Sequence, residues 1–411
     1  MSELIIFYLL LGIITFDFIL ERTLSYLNRK NAKKPIPSEL DGIYNEEKYA
    51  TSQAYQAEVS KFSTLSASFS FIFLFLAIYF GWFGLLDQWI RSFSPLSSVT
   101  PLIFFGILYV VSDIIGIPFS LYRNFIIEAK YGFNKMTIKT FIFDKIKSYL
   151  LTSIIGGILL SILIVLVNSI GKDFWWYFWL VMAGFSLFAN IFYTSLILPL
   201  FNKLKPLEEN DLKNSIQAYS EKVHFPLTNI FVMDGSKRSS KGNAFFSGLG
   251  KKKKVVLFDT LIEKHNVDEL TAVFAHEVGH YKKKHIVFST IFSISLMGVM
   301  LFLFSRMAYS AEVSWAMGGQ VSALHLNLLA FGILYSPIST ILGIIGNIIS
   351  RKNEYEADAY AKETFAAEPL IEGLKKMSTD HLSNLTPHPA YVFVHYSHPP
   401  LKERISALKN G

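Results

Sequence analysis

Seven stretches of this chain stay apolar for about 20 residues, the length an α-helix needs to cross the hydrocarbon of a bilayer. They lie at Leu4–Leu20, Phe62–Leu86, Pro101–Leu121, Tyr149–Ile170, Trp175–Phe201, Ile286–Phe304 and Leu324–Ile349. The apolar residues come in blocks and not at an amphipathic period, and 51% hydrophobic against 17% charged residues is the wrong balance for a soluble domain. The expected fold class is therefore an all-α polytopic membrane protein with seven transmembrane helices. The first block has no small-residue cleavage site behind it and runs into "ERTLSYLNRK", so it reads as a retained helix and not as a signal peptide.

The chain has no cysteine, which excludes disulfides and thiolate metal sites and leaves histidine and carboxylates as the strong ligands. A net charge of +7 suggests nucleic acid at first sight, yet the basic residues sit between spans and form no stripe with interleaved aromatics, so no nucleic-acid partner is expected. They cluster after the first span (Arg22, Arg29, Lys30, Lys33, Lys34), after the third (Arg123, Lys130, Lys135, Lys139, Lys145, Lys147), in segment 202–285 and in the tail, whereas the other connections hold Arg91, Lys172 and Arg306. The positive-inside rule then puts the basic side in the cytosol and the N-terminus outside or in a lumen. Glycosylation at the sequon Asn384-Leu385-Thr386 is not expected on that side.

Four parts follow: residues 1–201 as a membrane domain with five helices, 202–285 as a cytosolic insert, 286–349 as spans six and seven, and 350–411 as a cytosolic C-terminal segment. In the insert, "NIFVMDGS", "KGNAFFSGLG" and "KKKKVVLFDT" read as short strands, with Ser-Gly-Leu-Gly and the lysine run as the turn between the last two. A helix follows, with Asn266 as its cap, Glu269 three residues on, and Leu270, Val273, Phe274 and Val278 as its apolar face.

That helix carries "HEVGH". His276 and His280, four residues apart, stand one above the other on a helix and can grip one ion, and Glu277 is placed to take a proton from water. A hydrolytic zinc needs a third protein ligand and an open position. After His280 the chain crosses the membrane twice and returns just beyond Ser350 at "SRKNEYEADAYA", where Glu354 is the candidate ligand and Asp358, one turn on, can accept a hydrogen bond from a ligand imidazole. Glu356 points about 200° away from Glu354 on a helix and is the weaker alternative. His285 reads as an interfacial residue off the ligand face, and Lys282 to Lys284 as the cytosolic edge of span six. Asp17 and Asp113, inside spans, fit helix packing or the lining of a chamber.

Four segments, "HEVGH", "SRKNEYEADAYA", "GNAFFSGLGKKKKVVLFDTLIE" and "HYSHPPLKERI", together with "EAKYGFNKMT" nearer the N-terminus, resemble the Ste24 family of integral membrane zinc metalloproteases, the type I CAAX prenyl proteases of peptidase family M48. The resemblance implies that the helices enclose a chamber around one Zn2+, with His276, His280 and Glu354 as its ligands, Glu277 as general base and Asp358 behind a ligand histidine. It further implies that Asn243 holds the substrate main chain, that His398 steadies the oxyanion, and that Arg404 lies in a basic stretch assigned to substrate. Among the tail histidines, His381, His388 and His395 have no such match. The implied partners are a peptide or protein substrate, prenylated in the family, and membrane lipid, with no oligomeric state indicated. The host membrane is a bacterial inner membrane or the endoplasmic reticulum and inner nuclear membrane. Two other readings stand beside this one. An HtpX-like quality-control protease would have four spans, which the long N-terminal half disfavours, and a transporter or scaffold with structural zinc would have no use for Glu277.

Overall fold

A computed structural model describes residues 2–40, 42–94, 98–247 and 253–410. Among the described residues, six helical stretches are long and apolar enough to cross a membrane. Helix α1 (Glu3–Asn31) is followed by α2 (Glu46–Tyr79), whose first turn is capped by the Asn45 side chain accepting from the Lys48 amide. The second span was expected to reach Leu86, but α2 stops at Tyr79 because Gly81 takes φ +64° and turns the chain into α3 (Trp82–Phe93). Gly84 then lies so close to the turn at Gly318 that a Cβ on it would fall 1.8 Å from the Gly318 carbonyl oxygen.

Helix α4 (Thr100–Tyr122) continues as a π-helical turn at Arg123–Glu128. The next stretch, Ile138–Phe201, is 64 residues long and too long for one crossing. It comprises α5 (Ile138–Leu151), a π turn, α6 (Gly157–Ile170), α7 (Phe174–Phe192), a second π turn and α8 (Leu198–Phe201). Gly171, at φ +74°, breaks it between α6 and α7, and Leu163 and Val167 then pack with Phe174 and Phe178 across the break. The two limbs restore the expected pair of spans.

The insert builds a sheet of β1 (Leu204–Pro206), β2 (Leu227–Met233), β3 (Ala244–Ser247) and β4 (Lys253–Phe258) in the order β1-β2-β4-β3. Strand β2 runs parallel to β4, and β3 pairs antiparallel with β4 from Ala244 opposite Leu257 to Ser247 opposite Lys254. Strand β1 was not expected, since "LKP" is too short to show alternation. Most of the expected Ser-Gly-Leu-Gly turn lies outside the described residues. Helix α9 (Asp211–Lys222) buries Leu212, Ile216 and Tyr219 in the same core.

After the short α10 (Asp259–Ile262) comes α11 (Val267–Lys282), with the expected capping box: the Asn266 side chain accepts from the Glu269 amide, and Glu269 accepts from the Asn266 amide. Lys284, at φ +62°, separates α11 from the apolar α12 (His285–Met307). Past α13 (Ala311–Ala316), α14 (Leu324–Thr364) runs for 41 residues. The C-terminal segment, expected to begin at residue 350, opens inside this helix, which continues unbroken through Glu354 and Asp358. Helices α15 (Ala367–Asp380), α16 (Pro389–His395) and α17 (Leu401–Asn410) fold back onto it, held in part by Arg351 donating to the Tyr396 carbonyl at 2.5 Å.

The contact that positions everything else is between α11 and α14. A Cβ on Gly279 would lie 2.9 Å from Ala357 Cα, and Ala357 is wholly buried. Alanine at 279 would gain about 1 kcal/mol in helix propensity, but forcing the backbones apart costs about 1–3 kcal/mol. Gly279→Ala is therefore expected to lower the thermal midpoint of the detergent-solubilised protein, while Gly332→Ala, where no atom lies within 4 Å of the added carbon, leaves it unchanged or slightly raised. A Gly279→Ala protein as stable as the parent would show that the close approach does not matter.

Candidate metal centre

The Gly279–Ala357 contact brings the helix with two histidines against the helix with two acids. His276 Nε2 and His280 Nε2 are 3.2 Å apart, Glu354 Oε1 is 3.2 Å from the latter, and Glu354 Oε2 is 3.5 Å from the former. His276 and Glu354 are buried, at 7% and 3% exposure, and His280 is partly so. The described residues hold no other cluster of metal-binding groups.

Each histidine is held from its other ring nitrogen. His276 Nδ1 lies 2.8 Å from Asp358 Oδ1, and Arg404 grips the same carboxylate with two bonds, Nη2 to Oδ1 at 2.6 Å and Nε to Oδ2 at 2.8 Å. Arg404, from α17, is thus buried and turned inward, also 3.5 Å from Glu354 Oε2, and is not the solvent-facing charge that a basic stretch suggests. His280 Nδ1 lies 3.0 Å from His285 Nδ1, and His285 Nε2 lies 3.1 Å from Glu356 Oε2. His285 was expected at the interface, off the ligand face. The break at Lys284 ends the 3.6-residue phase of α11 and returns the ring to His280. Glu356, the alternative third ligand, faces His285.

His398 follows α16 in the tail. Its side chain is 65% exposed, with Nδ1 2.8 Å from Glu354 Oε2. Asn243 is exposed at the head of β3; its side-chain oxygen accepts from the Ala244 amide and its carbonyl from Phe258. Glu277 is partly buried beside His276, His280 and Glu354, and burial above all pushes the pKa of its carboxyl above the usual range. The acids expected inside spans are paired: Asp17 with Ser336, and Asp113 with Lys145 and with Tyr149, whose hydroxyl donates at 2.8 Å.

Burial alone would lower the pKa of His276, but hydrogen bonds to Asp358 and Glu354 outweigh it and raise the value to about 9. In the cluster, two imidazole nitrogens and a carboxylate, a donor set suited to zinc, converge from within 4.8 Å. A divalent cation is the partner that such a set lacks.

The family model described as "Peptidase family M48" matches residues 206–411. The chain belongs to this peptidase family. A second family model, described as "CAAX prenyl protease N-terminal, five membrane helices", matches residues 25–203. "CAAX prenyl protease 1" of Saccharomyces cerevisiae is 33% identical over 95% of this chain and 92% of that protein, and a "CAAX prenyl protease 1 homolog" of Arabidopsis thaliana is 36% identical over 91% and 90%. Among solved structures, the crystal structure of S. mikatae Ste24p matches with a TM-score of 0.92 and 33% identity, covering 98% of each chain. This M48 peptidase is a multi-pass membrane metalloprotease acting on peptide or protein substrates.

A nitrogen that binds a proton with a pKa of about 9 must release it to take up a cation. Since that pKa lies above the ordinary 6.5, the proton stabilises the metal-free fold fully below pH 6.5, and this contribution is lost as pH rises through about 9. Metal affinity is accordingly expected to climb about tenfold per pH unit from pH 7 toward 9 and then level. Titration calorimetry in buffers of different ionisation enthalpy should register about one proton released per ion at pH 7.5; an affinity flat across this range contradicts the assignment of that proton to His276.

Proposed function

We propose that this chain is a zinc-dependent endopeptidase that cuts near the C-terminus of prenylated CAAX-type proteins at the cytosolic face of its membrane. The observation that carries the proposal is the triangle of side chains formed by His276, His280 and Glu354: the two imidazole Nε2 atoms are 3.2 Å apart, and the carboxylate meets His280 through Oε1 at 3.2 Å and His276 through Oε2 at 3.5 Å. A tetrahedral ion with bonds of about 2.0–2.1 Å sets its ligand atoms about 3.3–3.4 Å apart; the 3.2 Å between the two imidazole nitrogens, and a donor set of two histidines and one glutamate, support zinc as the one ion. When bound, it supplies Lewis acidity, activating water and polarising a carbonyl.

In this reading Glu277, its carboxyl raised by burial, takes the proton from the attacking water and returns it to the leaving amine. His398, exposed beside Glu354, donates to the oxygen on which negative charge develops. Asp358 fixes the tautomer of His276, and Arg404 holds Asp358 in place, which gives this arginine a positioning role more direct than one in substrate contact. Strand β3 ends the sheet order, so Asn243 at its head stands where an extended substrate segment can add along the edge.

The four-part division of the chain fits this assignment of work, with the last boundary inside α14. The membrane part would present lipid-facing helices, and the basic connections support a cytosolic active site with the N-terminus on the far side. CAAX substrates and prenylation are taken from what the relatives are named for.

Glu277→Gln is expected to keep one zinc per chain and its thermal midpoint while losing peptide hydrolysis by at least about 100-fold. His276→Ala should lose the metal as well. Hydrolysis by Glu277→Gln at the parental rate would defeat the mechanism. For the substrate, purified protein is given a farnesylated CAAX peptide and its unprenylated twin, and cuts are located by mass spectrometry. Preferential cutting of the farnesylated peptide between the cysteine and the terminal tripeptide is expected. Equal cutting of both peptides removes prenylation from the proposal, and cutting of unrelated membrane proteins alone points to quality control.

A further inference from the structure

The cluster around the triangle contains one side chain to which neither the sequence motifs nor the mechanism assigns any work. His285 is the first residue of α12, buried, and its ring lies between a triangle histidine and an acid on α14. Its left-handed predecessor, Lys284, turns it there. This is a specific backbone cost, since a lysine at φ +62° is in a region that non-glycine residues seldom adopt.

The hydrogen bonding has one consistent solution. For His280 to offer the lone pair of Nε2 to a cation, its ring proton must sit on Nδ1, and a buried N–H needs an acceptor. The nearest is His285 Nδ1 at 3.0 Å. His285 must then carry its own proton on Nε2, where Glu356 Oε2 stands 3.1 Å away to accept it. The chain of donors ends on a carboxylate that is 38% exposed and 3.8 Å from Lys352, so the negative end stays in water. His276 has the equivalent support in one step, from Asp358 backed by Arg404.

We infer that His285, held by Glu356, is the positioning residue that fixes the tautomer and orientation of His280 and thereby ties the first turn of a membrane span to the metal site. The inference rests on the reading of His280 as a ligand. Outer hydrogen-bond partners of this kind typically carry 10–100-fold in metal affinity. A histidine that merely packs would carry stability and leave affinity alone.

The test is zinc affinity by competition with a chromophoric chelator, alongside the visible spectrum of the Co2+-substituted protein, which reports ligand geometry without any turnover. His285→Leu is expected to weaken zinc binding about 10–100-fold, to perturb the cobalt bands, and to leave one metal per chain. His285→Asn puts an amide oxygen where Nδ1 was, and is expected to recover most of the affinity and the parental bands. Glu356→Gln, isosteric and at a partly exposed position, should weaken binding by a smaller factor, and by nothing further when combined with His285→Leu. Parental affinity and spectrum in His285→Leu, or equal losses in the Leu and Asn variants, would overturn the inference. If His285→Leu does not fold, Glu356→Gln decides alone, and parental affinity there overturns it too. His280→Ala separates the two levels: if it binds zinc as the parent does, the ligand assignment fails, whereas if it loses zinc and His285→Leu does not, only the role of His285 fails.

Discussion

The site depends on one missing side chain. Gly279 lets α11 meet α14 at Ala357 with backbones in contact, and at that separation imidazoles from one helix meet a carboxylate on the other. Packed helices ordinarily stand about 8–10 Å apart, and a small-residue crossing beside the ligands brings these two closer. The glycine inside "HEVGH" is such a crossing, set one residue from the second histidine.

Bringing these groups together removes several charges from water, and an unpaired ion in such a place is costly. The structure answers with alternation. Arg404 faces Asp358, Asp358 faces His276, and Glu354 faces both histidines, so each buried charge or proton has an opposite neighbour. Because Arg404 comes from α17, that helix must dock against α14 before the arrangement is complete.

What could be read in the sequence divides along the range of the forces involved. The spans, the capped helix and the convergence of His276, His280, Glu354 and Asp358 follow from apolar length, local capping and membrane topology, all visible in one dimension. Strand β1, at three residues, carries no pattern of its own and exists because β2 offers it an edge. The end of α2 was placed seven residues too far, since the apolar run continues through Leu86 and only the approach of Gly318 shows that the chain turns at Gly81. A helical period carried through Lys284 turns His285 away from the ligand face, and the left-handed backbone at Lys284 that returns it is a tertiary outcome. Arg404 reads as one more cation in a basic tail until Asp358 is seen beside it.

Helix α14 is both span and ligand carrier, and its length has a further meaning. Its 41 residues reach about 60 Å at 1.5 Å per residue, twice the hydrocarbon thickness of about 30 Å. If the apolar part ends near Ile349, Glu354 stands about 8 Å farther along a rod with no loop to flex. The helix acts as a ruler. It fixes the distance between Glu354 and the apolar part of its own span, so the candidate metal site cannot move along the helix axis unless the whole span moves with it.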